Sequence, residues 1–202
     1  MTVTLYGQSG SRAVRCLWML EELGIEYAHE PTTFSEQAKA PAFKQINPFA
    51  RIPALVDGDL QLGESMAINL YLARAYDGGL AAGSLADEAR ATHYSFWVMT
   101  EVEKTLLNAL CFVRGLFGLE PSAEKAAKCF ADLAPAFARL EEALAERPYL
   151  LGETFSVADL NVASVLLWAR NARADLAAYP LLDAWLERCL TRPALARAQA
   201  MP

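Results

Sequence analysis

NPFARIPALVDGDLQLGES, residues 47 to 65, puts a proline-led strand, a tight turn and a strand-to-helix junction into one short stretch. Asp57-Gly58 is a strong hairpin turn signal, and the apolar runs on either side read as its two strands. Working upstream, VTLY is a short β-type run, and SRAVRCLWMLEELG has helical spacing that ends in Gly24, a natural C-cap. IEYAHEP then reads as a second strand and residues 35 to 46 as a short helix. Downstream, SMAINLYLARAY returns to helix. The order is βαβαββα, a parallel pair plus a hairpin in one sheet, with helices available to cover it.

From Asp87 onward the strand signals stop. Apolar residues recur at helical spacing in Met99, Val102, Leu106, Ala109 and Val113, then in Phe130, Leu133, Phe137, Leu140 and Leu144, which predicts a helical bundle. FSVADL carries its clearest start signal: Ser156 can cap, Asp159 completes a capping box, and Phe155 can staple onto Leu160. Pro180 and Pro193 suit the first turns of two further helices. The Gly- and Ala-rich stretch 77 to 87 is the expected boundary, giving domains of 1–77 and 87–202.

The 202 residues are 54% apolar and 21% charged, enough to bury a sizeable core, so a disordered chain is excluded. The net charge of −6 divides evenly about Asp77, so neither half is a basic arm. Binding to nucleic acid or an anionic membrane through bulk charge is disfavoured, because it needs concentrated Lys and Arg. The start shows no basic and apolar leader pattern, and no stretch has the length and apolarity of a membrane span. A cytoplasmic protein is expected. Cys16, Cys111, Cys129 and Cys189 are spread too widely for a redox pair or a metal knuckle and are expected to stay reduced. His29 and His93 stand isolated, so neither a metal site nor a Ser/His/Asp triad is expected.

Three places can carry chemistry. Pro53 opens a strand without an amide to donate; if its bond to Ile52 is cis, Ile52 presents its amide and carbonyl at the sheet edge, where an extended peptide can pair. A trans proline opening an edge strand fits the same dipeptide. Gly63-Glu64-Ser65 sits where a strand gives way to a helix, so backbone amides and the helix dipole favour an anion there. Glu64 can hold an ammonium group while Ser65 holds a carboxylate, together the head of an amino acid; Ser65 acting only as a cap is the plainer reading. In YGQSGSRAVR, residues 6 to 15, a Gly- and Ser-rich turn starts a helix, a position that stabilises an approaching thiolate. The turn itself holds no cysteine, and Cys16 reads as a packing thiol in the helix body.

These segments together resemble the glutathione transferase superfamily over the whole chain: NPFARIPALVDGDLQLGES is similar to its glutathione-binding stretch, SMAINLYLARAY to the helix that follows, and FSVADL to its capping box. YGQSGSRAVR resembles the turn of serine-type members such as the theta and phi classes. The resemblance implies an α/β, thioredoxin-like N-terminal domain followed by an all-α C-terminal bundle. It also implies glutathione as co-substrate, a small-molecule electrophile, and a homodimer.

Residue by residue, the resemblance gives Ile52, before Pro53, the pairing with the cysteinyl part of glutathione, and gives Glu64 and Ser65 the γ-glutamyl group. Arg51 stands where Lys is common and faces the glycyl carboxylate, or is a solvated surface arginine. Serine-type members place the catalytic hydroxyl five residues after the strand tyrosine, which takes Tyr6 to Ser11, with an arginine four residues further at Arg15. Ser9 is the alternative and Tyr6 the third candidate, against its packing as a strand aromatic. His93, Tyr94, Phe96, Trp97 and Met99 are the candidates to line the electrophile pocket, or they are core. The implied activity is attack by glutathione thiolate on an electrophilic carbon. Reduction of a disulfide or peroxide is the alternative within the same chemistry, and a non-catalytic interaction module or a ligand carrier the alternatives outside it.

Overall fold

The computed structural model describes residues 3–34 and 36–202. One sheet has the order β2-β1-β3-β4, built from β1 (Val3–Tyr6), β2 (Tyr27–Glu30), β3 (Ala54–Asp57) and β4 (Leu60–Gly63). β1 and β2 are parallel, Val3 facing Tyr27 and Tyr6 facing Glu30, and α1 (Val14–Leu23) supplies the crossover that a parallel pair requires. β3 runs antiparallel to β1 with Tyr6 opposite Ala54, and forms the expected hairpin with β4, where Asp57 pairs with Leu60. Gly58 takes φ 59°, the left-handed conformation that the tight turn demands.

α1 ends as its sequence predicts: Gly24 takes φ 64° and its amide returns to the Leu20 carbonyl. Cys16 to Leu20 are all fully buried, since α1 is packed by α3 (Ser65–Ala75) and by α9 (Pro193–Gln199). The expected helix over 35–46 is instead a 3₁₀ turn, Gln37–Lys39, and a short α2, Pro41–Ile46. Pro41 is the reason: it holds Ala40 extended at φ −61°, ψ 144°, so one helix cannot run through. Ser35, inside that expected span, lies outside the described residues.

Contacts divide the chain into two compact units: residues up to Gly83 together with Thr191–Pro202, and Ser84–Leu190. The boundary expected at 77–87 thus recurs near Gly83, but the last twelve residues, expected in the helical domain, belong by contact to the first unit. The second unit is all helical, with α4 (Leu85–Trp97), a π-helical stretch Val98–Glu103, α5 (Lys104–Arg114), α6 (Ala123–Ala143), α7 (Val157–Asn171) and α8 (Pro180–Leu190). Val157 to Leu166 are buried without a break, so α7 is the unit's central helix. Pro180 and Pro193 open α8 and α9 as expected. Of the predicted stripe, Val102, Leu106 and Ala109 are buried, whereas Met99 and Val113 are not. The π-helical stretch shifts the helical phase that a uniform 3.6 spacing assumes. Among the described residues no helix is long and apolar enough to cross a membrane.

Candidate active site where the first turn meets the proline loop

The turn that leaves β1 is shaped by Gly7 at φ 134°. A Cβ there would lie 2.6 Å from Ala13 Cβ and 3.4 Å from Ile52 Cβ, so a bare backbone lets the turn close against the proline loop. The Gly7 and Gln8 amides donate to the carbonyls of Glu30 and Thr32 at 2.9 and 3.2 Å, and His29 Nε2 meets the Gly7 carbonyl at 2.8 Å. Replacing Gly7 by Ala is expected to cost about 1–3 kcal/mol of stability through strain and overlap. A variant with the parent's urea midpoint would leave Gly7 no role in shaping the turn.

Two serine hydroxyls in this turn point inward, with different consequences. Ser11 Oγ donates to the Gln8 carbonyl at 2.7 Å and accepts from the Ala13 amide at 3.1 Å. The Ser11 amide donates to the same Gln8 carbonyl at 3.1 Å, so that carbonyl keeps a partner if the hydroxyl proton swings outward. Ser9 Oγ instead donates to the Met201 carbonyl at 2.6 Å and its amide to the Pro202 oxygen at 2.9 Å, contacts that tie the turn to the far end of the chain. Tyr6 stacks edge-on against Phe43 at 5.9 Å and packs on the cluster of Ala38, Phe43, Ile52 and Ala54. Its ring serves the core, which is the plainer of the two expectations for it.

Ile52-Pro53 is cis, and Ile52 precedes the β3 ladder, which begins at Ala54 opposite Tyr6. The loop before it is organised by Asn47, a buried residue with no part in the sequence-based site. Its Nδ2 donates to the Arg51 carbonyl at 2.8 Å, and its Oδ1 and carbonyl accept from the Phe49 and Ala50 amides. Gly63 leaves room for it, since a Cβ there would sit 3.1 Å from Asn47 Nδ2. The only sequence signal for this role is an Asn at the end of a short helix beside a proline. Arg51 is exposed, its guanidinium 5.5 Å from the Phe34 ring centre, free to pivot toward an anion.

Glu64 caps α3 at φ 65°, ψ 111°, a conformation that a non-glycine residue adopts only at a cost, and such strain gathers at ligand sites. Its side chain is exposed while Ser65 beside it is buried at the α3 N-terminus. Arg15, only 1% exposed, reaches Ser65 Oγ with Nη1 at 3.4 Å, and Asn69 Nδ2 holds the Arg15 carbonyl at 3.2 Å. Ser65 Oγ thus accepts from a buried guanidinium. Cys16 donates to the Ser65 carbonyl at 3.7 Å; burial pushes its thiol pKa far up, against a smaller pull from Arg15, so it is an inert packing thiol.

Of the pocket candidates on α4 and at the start of the π-helical stretch, His93 and Phe96 are exposed while Tyr94, Trp97 and Met99 are half-buried, so none is true core of the second unit. His93, Tyr94 and Trp97 form an edge-to-face series. Among the described residues no cluster of His, Cys, Asp or Glu is placed to hold a metal ion.

Against known proteins, the model of the glutathione S-transferase N-terminal domain matches residues 1–74 and that of the C-terminal domain matches residues 91–193. The chain belongs to the glutathione S-transferase family. It is 37% identical to glutathione S-transferase 3 of Zea mays over 206 aligned residues, covering 97% of this chain and 92% of that one. Among solved structures it resembles glutathione S-transferase I bound with lactoylglutathione, with a TM-score of 0.88, 31% identity and 99% of each chain covered. It also resembles the theta class enzyme of Xanthomonas axonopodis pv. citri with glutathione bound, with a TM-score of 0.88 and 28% identity over 100% of this chain and 98% of that one.

Proposed function

We propose that this glutathione S-transferase ionises the thiol of glutathione at Ser11, the thiol proton passing to solvent, and presents the thiolate to a small apolar electrophile, where a carbon–sulfur bond forms as the bond from that carbon to its leaving group breaks and the leaving group departs with the electron pair. The observation that carries the choice of Ser11 is its hydroxyl at the entrance to α1, whose present acceptor, the Gln8 carbonyl, retains the Ser11 amide when the hydroxyl turns outward. A thiol of pKa about 8.5 is roughly 3% ionised at pH 7, and lowering it to about 6.5 ionises roughly three quarters, a change of about 2.7 kcal/mol. One hydroxyl donor together with a helix N-terminus is of that size.

The remaining parts are assigned by their donors. Ser65, polarised from behind by Arg15, and the first amides of α3 receive the γ-glutamyl carboxylate; Glu64 receives the ammonium. Ile52 offers its main chain to the cysteinyl unit, beside Pro53 and against Gly7, and Arg51 answers the glycyl carboxylate.

Glutathione should raise the melting temperature, because a ligand bound only by the folded chain adds about 2.7 kcal/mol at a hundredfold excess over Kd. Ser65→Ala should shrink that shift by removing a charge-assisted hydrogen bond of roughly 1.5–3 kcal/mol. An equal shift in the variant would place the γ-glutamyl site elsewhere. The proposed assembly is a homodimer, supported by Phe49, 81% exposed at the tip of the Asn47 loop, an apolar side chain suited to a second copy. Sedimentation should give about twice the chain mass of 22.1 kDa, and a monomer at micromolar concentration would overturn it.

A further inference from the structure

We infer that the segment Thr191–Pro202 is a strut that sets the position of the thiolate-stabilising turn, and that Ser9 is the receptor for this strut rather than a reacting hydroxyl. The inference rests on the proposed thiolate site and requires only that the reacting hydroxyl is not that of Ser9.

The strut is anchored on α1 and reaches past it. Arg192 makes a two-pronged ion pair with Glu22, Nε to Oε1 at 2.6 Å and Nη2 to Oε2 at 2.7 Å, and Trp18 Nε1 donates to the same Glu22 at 2.9 Å. One turn on, Arg197 Nε meets Glu21 Oε2 at 2.6 Å and its Nη2 meets the Glu21 carbonyl at 3.0 Å. The α9 face between these arginines is apolar and closed, with Ala194, Leu195 and Ala198 buried. Two-pronged geometry with a largely buried Glu22 lifts the first pair above the weak surface class.

Beyond α9 the chain runs along the turn. Tyr27 Oη, which donates to Glu21, lies 3.3 Å from Met201 Sδ; the Met201 carbonyl then accepts from Ser9 Oγ and the Pro202 oxygen from the Ser9 amide. Gly7 is tied to Glu30 of β2 and Gln8 to Thr32 just beyond it, and α1 begins at Val14, so Ser9 attaches the intervening turn to the last residues of the segment. A hydroxyl has one proton. With the Ser9 proton on Met201 it is withheld from a sulfur, and freeing it would undo the contact that holds the turn. Ser11 stands two residues away, and a displacement of about 1 Å at a reacting centre is enough to cost up to 100-fold in rate.

Three variants test this, each read by the pKa of bound glutathione thiol, by turnover, by KM for glutathione and by melting: a chain stopped after Ala200, Arg192→Gln, and Ser9→Ala. The strut requires all three to raise the thiol pKa by about half a unit to one unit and to lower kcat near neutral pH about 3- to 10-fold, with KM for glutathione changing less than about twofold. Arg192→Gln replaces no residue of the turn, and measuring it also at high salt, which screens the lost positive charge, separates a displaced strut from the charge itself. It also stands in for the shortened chain should that chain not fold. A lower melting temperature with thiol pKa and kcat unchanged in the shortened chain and in Arg192→Gln would overturn the proposal and leave the segment a packing element. Loss of thiolate in Ser9→Ala alone would overturn it in the other direction, making Ser9 the reacting hydroxyl. Failure of the Ser11 assignment shows differently, as an unchanged thiolate in Ser11→Ala, and the response of the shortened chain and of Arg192→Gln still decides the strut.

Discussion

Asp159→Ala is expected to unfold about 3–5 kcal/mol more easily than the parent chain, the cost of stranding several buried donors together. Asp159 is fully buried at the start of α7 and accepts four hydrogen bonds: from the Ser156 amide at 3.0 Å, Ser156 Oγ at 2.7 Å, the Leu150 amide at 2.8 Å and Trp185 Nε1 at 2.9 Å. These donors come from the capping residue, from the loop before α7 and from α8, so one carboxylate joins three parts of the helical unit. Phe155 beside it stacks on Tyr149 at 5.9 Å, closing the same corner. Burial raises the Asp159 pKa above its ordinary value, with the four donors pulling it partly back. The folded chain therefore holds this proton to higher pH than the unfolded chain. Its contribution is full below the unfolded carboxyl value and declines as pH rises through the folded one. The stability gap between parent and variant should accordingly narrow from acid to neutral pH. A variant within about 1 kcal/mol of the parent in urea unfolding would show that water replaces the carboxylate at little cost.

Ser11→Ala should raise the pKa of bound glutathione thiol by about one to two units and lower turnover near neutral pH about 10- to 100-fold, while glutathione binding changes little. The separation follows from geometry. Binding is assigned to Arg51, Ile52, Glu64 and Ser65, none of which contacts Ser11 through a hydrogen bond described above. Turnover should recover in part as pH rises, because alkali supplies the thiolate that the missing donor no longer stabilises. The thiolate absorbance of bound glutathione, followed against pH, measures the shift directly. Retained absorbance with an unchanged rate would pass the role to the turn's backbone amides, or to Ser9 if Ser9→Ala alone abolishes it.

The features legible in the sequence are those whose cause is local. Asp57-Gly58 makes its hairpin with residues on either side of it, Gly24 ends α1 through its own left-handed backbone, and Ser156 and Asp159 meet within one turn. Pro53 marked the loop that leads into β3 but left its isomer open. What stayed illegible depends on distant partners or on a broken period. Asn47 works through the carbonyl of Arg51, and the contact of Ser9 with Met201 spans 192 positions, so in the sequence alone only the count from Tyr6 separates Ser9 from Ser11. The last helix has ordinary amphipathic spacing, and the partners of its arginines, Glu22 and Glu21 on α1, lie 170 and 176 positions away. The π-helical stretch after Trp97 carries no residue signature, and it misplaced the inward face around Met99.

The pairing of β1 with β3 constrains how this sequence can change in length. Antiparallel register brings Tyr6 opposite Ala54, so the first turn and the Ile52-Pro53 loop leave the sheet at the same end. A two-residue insertion or deletion inside either strand keeps every side chain on its proper face yet slides one half of the site past the other by about 7 Å. Added residues in the connection between β2 and α2 leave that ladder untouched. Length variation among sequences that keep this chemistry is therefore expected to accumulate around residues 31 to 40 and to be purged from Val3–Tyr6 and Ala54–Asp57.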